Sequence, residues 1–396
     1  MTVAVTNFSE FPGFAEFADF RFGIISDLHI ALPETIQNKP SRFHLVEVSI
    51  PGLEKALEHL VTQDLDFLLL PGDLTQDGEI INHQWLANRL AQLPFPTYVI
   101  PGNHDIPNLE ATADTIAYGD FPGYYQQSGY SKSDRQDDNQ PDHNSLDYTH
   151  EILPGVQLVA LNSNNFNSEG QQRGYLTPEQ LQWLEKTLQQ VSDKLVLLTI
   201  HHNIIEHFPN QTTHPLGQRY MLKNAGELLA LLEKYRVRLI LTGHLHVQDI
   251  AQWHGIHEIC TGSLVSYPHP YRVVDVSRQA SSVSVEVTSF KLDKLPEIDG
   301  VAQWADLGQT SREWMGDRSE QFMLKLLTLP PLNLSLKEAK KYAPQLRYFW
   351  CDVAAGDADI DYPDFPPSLR QYFQGFSARD PQGKPALIDN NTTITL

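Results

Sequence analysis

LDFLLLPGD, residues 65–73, sets a pattern that recurs along the chain: a short apolar run stops abruptly at Pro, Gly and a polar side chain. FGIIS (Phe22–Ser26) runs into Asp27, TYVI (Thr97–Ile100) into Pro101-Gly102-Asn103, and VQLVAL (Val156–Leu161) into Asn162. LVLLTI (Leu195–Ile200) runs into His201-His202, and RLIL (Arg238–Leu241) into Thr242-Gly243-His244. Runs this short, with so little polar alternation, read as strands covered on both faces. Between them Leu53–Val61, Gln84–Leu93, Pro178–Leu188 and Ala225–Tyr235 carry apolar residues at helical spacing. Thr177-Pro178-Glu179 adds a cap with Pro at the first helical position. Strand alternating with helix predicts an α/β layered domain. Open α/β sheets bind ligands at the carboxyl ends of their strands, so the residues that stop each run are expected along one sheet edge.

Composition narrows the partners. The 396 residues are 41% hydrophobic and 20% charged, which excludes a disordered chain, a collagen or a coiled-coil rod. A formal charge of −20 counts against long nucleic acid, which needs a basic surface. It does not count against a small phosphorylated substrate, because a bound cation can reverse the local field. Two cysteines, Cys260 and Cys351, cannot make a disulfide framework and predict a reducing, cytoplasmic setting. No apolar run is long enough to span a membrane, and no leader peptide is expected from the first twenty residues. Tyr124–Asp147 is polar and reads as a long surface loop, either a flap near the site or an insertion with no role. Tyr271–Val276 and Ser282–Thr288 read as antiparallel strands, and from about Lys291 the text turns helical and Pro-interrupted. A boundary is expected near 290.

The chemistry-bearing residues fall in five clusters: Asp27-Leu28-His29, Gly72-Asp73, Gly102-Asn103-His104-Asp105, His201-His202 and Gly243-His244-Leu245-His246. None of the 16 histidines lies beyond His269, so a histidine site is not expected in the C-terminal region. Each cluster alone has an ordinary reading as a turn, a cap or packing. Together they offer two aspartates, an asparagine and four histidines as O and N donors. That set suits Mn, Fe or Zn, not a soft thiolate metal. Seven donors exceed one tetrahedral ion and serve two ions sharing a bridging carboxylate.

The order D-x-H, G-D, G-N-H-D, H, G-H-x-H over about residues 21 to 276 resembles the calcineurin-like metallophosphoesterase superfamily. Ile100–Asp105 (IPGNHD), Arg173–Leu184 and Thr261-Gly-Ser-Leu with Tyr271-Arg-Val-Val are similar to its bacterial class III cyclic nucleotide phosphodiesterase and glycerophosphodiesterase branch. The resemblance implies a four-layer αββα sandwich of two mixed sheets. Residues 1–290 would be the catalytic domain and 291–396 a mainly helical extension or cap. Asp27, His29 and His246 would hold one ion, Asn103, His201 and His244 the other, and Asp73 would bridge. A water or hydroxide between the ions would attack phosphorus in line. His104 would aid the leaving group, and Asp105 would accept its other ring N–H. Where close relatives often carry His-His-Pro-Pro, this chain has His201-His202-Asn203-Ile204. That leaves His202 as the alternative ligand or a pocket residue.

Among loop residues, His202, Arg219 and Tyr175 are the candidate substrate contacts. Arg173, His207, His214 and Asn224 are weaker ones. Trp304, Trp314, Tyr348 and Trp350 read as packing, with an aromatic lip for a nucleobase as the alternative. The expected function is metal-dependent hydrolysis of a phosphoester, a diester first, by a protein that could self-associate through its C-terminal region. A phosphomonoesterase or nucleotide pyrophosphatase, a nuclease, and a non-catalytic scaffold on the same fold are the rivals.

Overall fold

A strand that is apolar on both sides needs a layer on each side, and the chain supplies four. The computed structural model describes residues 16–37, 42–131, 146–167, 169–296, 302–380 and 383–396. Most of the expected flap, 132–145, lies outside them.

The first half runs β1 (Phe20–Ile24), α1 (Ser49–Leu60), β2 (Phe67–Leu70), α2 (Ile80–Leu90), β3 (Thr97–Val99), a single turn α3 (Phe121–Tyr124), β4 (Tyr148–Leu153) and β5 (Val156–Leu161). A small hairpin, β6 (Asn164–Phe166) and β7 (Gln172–Gly174), precedes α4 (Pro178–Gln190), β8 (Leu195–Ile200), α5 (Ala225–Lys234) and β9 (Leu239–Thr242). Then come β10 (Asp249–Trp253), β11 (Ile256–Cys260), β12 (Pro270–Arg278) and β13 (Val283–Lys291). The remainder is α6 (Leu307–Thr328), α7 (Leu336–Tyr342), α8 (Phe349–Ala354), α9 (Pro367–Gln374) and β14 (Asn391–Thr395).

Two six-stranded mixed sheets result, ordered β14-β13-β12-β1-β2-β3 and β10-β11-β9-β8-β5-β4. β1, β2 and β3 are parallel, as are β5, β8, β9 and β11. Alternation along each strand sorts the side chains between layers. Leu158, Ala160, Leu197 and Leu241 join one core with Phe22 and Ile24 of the other sheet. Their neighbours Val159, Leu161, Leu198 and Ile240 join Trp183, Leu184 and Leu188 of α4 and Leu228 and Leu232 of α5. Leu53, Ala56, Leu57 and Leu60 of α1, at helical spacing, bury on the first sheet. The architecture is therefore the expected αββα sandwich with a helical C-terminal region.

The strand ends come from both sheets rather than from one edge of one sheet. β1, β2 and β3 deliver Asp27, Asp73 and Asn103, and β8 and β9 deliver His201 and His244. The C-terminal helices build their own core on the segment after β9: Leu245, Val247 and Cys260 pack with Met323, Leu327, Phe349 and Phe373. The chain then crosses back, and β14 pairs antiparallel with β13, Val285 opposite Ile394. No helix among the described residues is long and apolar enough to cross a membrane.

Candidate metal centre

Five of the seven candidate ligands sit on left-handed backbone: Asp27 at φ 51°, His29 at 42°, Asp73 at 50°, His244 at 65° and His246 at 60°. An L-residue pays roughly 1–2 kcal/mol for that conformation. Such strain persists only where the surroundings over-determine it, and it clusters at functional sites. Here it turns each side chain sharply out of the strand end. Two glycines allow the close approach. A methyl at Gly102 would overlap the Asp73 carboxylate, and one at Gly243 would overlap Ser26 and Asp27.

The turned side chains converge. Asp27, His29 and Asp73 are buried, and Asp27 Oδ1 lies 3.1 Å from His246 Nε2. His29 Nε2 and His246 Nε2 face each other at 3.5 Å. Asp73 Oδ2 stands 3.8 Å from His29 Nε2 and 3.3 Å from His201 Nε2. His201 Nε2 is also 3.3 Å from Asn103 Oδ1, while its Nδ1 is 2.8 Å from the Pro71 carbonyl. Nδ1–H donation to that carbonyl turns Nε2 toward Asp73 and Asn103, and a bound ion there would displace the proton that Asp73 favours on it. Ligand-type atoms of Asp27, His29, Asp73 and His246 all lie within 4.8 Å of one another, and so do those of Asp73, His201 and His244. Asp73 belongs to both groups.

The electrostatics fit a cation. Burial first, then neighbouring imidazoles, hold His29 and His244 well below the usual histidine range. Each therefore presents a neutral lone pair. Burial disfavours the Asp73 carboxylate, but His201 and His104 overcome it and hold the group well below the usual carboxylate range. Burial likewise opposes charge on His201, yet Asp73 raises it to about 9. Lone pairs and carboxylates crowded at one point, some of them 3.5 Å apart, are the donor set of a metal site.

A model of the calcineurin-like phosphoesterases matches residues 20–248, more than half of the chain. The chain belongs to that family. Its curated relatives include a 3',5'-cyclic-nucleotide phosphodiesterase of Nostoc sp., 27% identical over 274 residues, which cover 68% of this chain and 86% of the relative. A probable glycerophosphodiester phosphodiesterase GpdQ of Arcobacter nitrofigilis is 32% identical over 242 residues, 60% of this chain and 76% of that one. The 3',5'-cyclic adenosine monophosphate phosphodiesterase CpdA of Escherichia coli is 28% identical over 209 residues, 50% of this chain and 61% of CpdA.

In this calcineurin-like phosphoesterase a cavity of about 470 Å³ opens over the donor groups, lined by Asp73, Asn103, His104, His202, Arg219, His244 and His246. His104 Nδ1 lies 2.7 Å from the Gln76 carbonyl and 3.2 Å from Asp77 Oδ1. Burial opposes its charge, but Asp73 and Asp77 raise it to about 9. His202 shares the cavity wall, with Nδ1 2.8 Å from Ser163 Oγ and its ring 4.3 Å from that of His244. Burial, then His201, pushes it down to about 3.

Two expected residues fall elsewhere. Asp105 does not hold the His104 ring. Its carboxylate accepts the N–H groups of Leu74, Thr75 and Gly102 and the Thr75 hydroxyl, tying the β2 and β3 loops together. The turn at Gly102-Asn103 points the two neighbours in opposite directions, and Gln76 and Asp77 take the role instead. Tyr175 does not line the cavity: its hydroxyl donates back to the Phe166 carbonyl, while Arg173 and Gly174 reach the wall. His207 is buried between Asp249 and Glu258, and Asn224 bonds the Leu176 backbone.

Several residues at the site went unread in the sequence. Gln172 Nε2 donates to the Asn103 and Ile106 carbonyls, at 2.7 and 2.9 Å, and pins the loop. Phe43, Met315 and Phe322 close the apolar wall, joined there by Trp350, which the sequence offered as packing or an aromatic lip. His44 stands against His29 and His246. It follows no strand, so the signal that found the other histidines could not find it.

Proposed function

We propose that the chain hydrolyses a small phosphodiester with two metal ions, one held by Asp27, His29 and His246, the other by Asn103, His201 and His244, with Asp73 between them. One observation carries the reading: Asp73 is the shared member of two donor groups at the floor of an open cavity. His201 is preferred to His202 because its Nε2 meets both Asp73 and Asn103, whereas the His202 ring engages Ser163. Mn, Fe and Zn all suit this donor set.

Bound ions would supply charge neutralisation at phosphorus and a water acidic enough to attack near neutral pH. The protein's own part follows from its side chains. Gln76 and Asp77 fix His104 through Nδ1, leaving Nε2 to hand a proton to the departing oxygen. Arg219, stacked on Tyr220 at the cavity wall, orients a phosphoryl oxygen. Residues 291–396 act as a cap that shapes the apolar wall, and self-association would run through that region. The setting is cytoplasmic, supported by two free, buried cysteines.

Phosphodiesterases among the relatives support a diester over a monoester. Metal-stripped protein reloaded with Mn²⁺ should hydrolyse bis-p-nitrophenyl phosphate faster than p-nitrophenyl phosphate. The reverse order would replace the diester by a monoester. No metal-dependent turnover of either would reject the reading for these substrates.

A further inference from the structure

We propose that His44 is a fifth protein ligand to the ion held by Asp27, His29, Asp73 and His246. This rests on the reading of the centre as a two-ion site. The ring of His44 stands 4.5 Å from that of His29 at 88° and 4.6 Å from that of His246 at 73°. His29 and His246 are themselves 5.3 Å apart at 63°. Three imidazoles aimed at one ion at about 2.1 Å bring their centres about 4.5–5.5 Å apart at steep angles. Edge-on packing reaches the same spacing elsewhere, as His59 does on Phe290 at 4.5 Å and 62°, so the ring nitrogens decide. The ring nitrogens of His29, His44 and His246 offer atoms within 4.8 Å of one another, a set that shares His29 and His246 with the one Asp27 and Asp73 complete.

The segment that carries His44 is braced. Leu45 donates its N–H to the Val265 carbonyl at 2.7 Å. Phe43 packs edge-on against Phe322 of α6 at 6.3 Å. Arg42 pairs with Glu47 and lies over Trp314. The imidazole is thereby presented by a loop pinned to α6.

The consequence is asymmetry. Three imidazoles and two carboxylates would occupy five positions on the first ion and favour Fe, Co or Zn over Mg or Ca. The second ion, with Asp73, Asn103, His201 and His244, keeps more of its shell open. The first becomes the resident ion and the second the one that exchanges and meets substrate.

The test is a titration of metal-stripped protein with Co²⁺ against a competing chelator, with visible absorption recorded. Wild type should bind in two steps. His44→Ala should weaken the tighter step by about 10–100-fold and leave the weaker one within about threefold. The cobalt absorption should intensify as a ligand is lost. His201→Ala should do the converse, weakening the second step alone. Should His44→Ala cost folding, His44→Gln carries the same test. A tighter step and a cobalt spectrum unchanged in the folded variant would overturn the proposal, whatever happens to turnover. Turnover lost with both ions intact would put the ring on the substrate instead. A wild-type protein that binds no ion would overturn the two-ion reading, and His44 with it.

Discussion

Asp73 lines the floor of the cavity and Asp27 and His29 stand beside it, all three almost wholly buried, on strained backbone that leaves strand ends. Phe43, Phe322 and Trp350 face them across the same space, partly exposed, from a loop and two helices far along the chain. The floor is over-determined: Asp27 alone meets Ser26 Oγ, the His244 N–H and His246, and its carbonyl accepts from Ser263 Oγ. The wall is held by aromatic contacts, Phe322 on Trp350 at 5.4 Å and Phe208 on Trp350 at 6.2 Å, which tolerate exchange of one apolar shape for another. A rigid floor fixes a reaction, and a replaceable wall lets specificity change without touching it.

The largest effect that could break this division is at the floor. Asp73→Asn should lose tight binding of both ions and lower turnover on the order of 10³-fold or more, because both donor groups lose a charge. His104→Ala should keep both ions and slow turnover by about 10²–10⁴-fold. Metal content by atomic absorption separates the two, and an Asp73 variant with full metal would contradict the bridge.

Next comes the support beneath the floor. Buried Glu258 accepts from Ile204 N, Ile205 N, Thr242 Oγ1 and His207, clamping the segment that follows His201-His202. Burial opposes charge on both partners. Even so, Glu258 and Asp249 raise His207 well above 6.5, and His207 pulls Glu258 below 4.5. The histidine's contribution to stability is whole below about pH 6.5 and fades as pH rises through its higher folded value. The carboxylate's is whole above about pH 4.5 and fades as pH falls. His207→Gln should therefore cost about 3–5 kcal/mol between those limits and less in alkali. Thermal midpoints of both proteins across pH check this, and a gap widening with pH would reject it.

The smallest effect belongs to the wall. Trp350→Leu should leave metal content unchanged and raise KM for an aryl diester by roughly tenfold at most. Lost metal would mean that wall and floor are one unit.

The same contrast decides what could be read from sequence. VQLVAL and LVLLTI are apolar on both faces, so β5 and β8 were legible to the residue, and the polar residues after each strand marked the floor. β14 (NTTIT) and β10 (DIAQW) carry too little apolar pattern to announce themselves. Of the wall, Trp350 was in view as packing or an aromatic lip, but Phe43 and Met315 share no spacing with it, only a place in space. Adjacency misled at Asp105, where a turn separates what sequence puts together. His44 reaches the floor from a loop, the one kind of position that the strand-end pattern does not mark.

Strand β14 also sets an order in time. Val283, Val285 and Val287 of β13 are buried in a sheet whose outer rung is supplied by Asn391–Thr395. While the ribosome extends the chain through α6, α7, α8 and α9, that rung does not yet exist, and β13 stands as an open edge. Pairing across such a separation forms late, and an open edge is a template for another nascent copy. The risk of misassembly thus falls in the interval of synthesis between residues 291 and 391, well after every candidate ligand has been made.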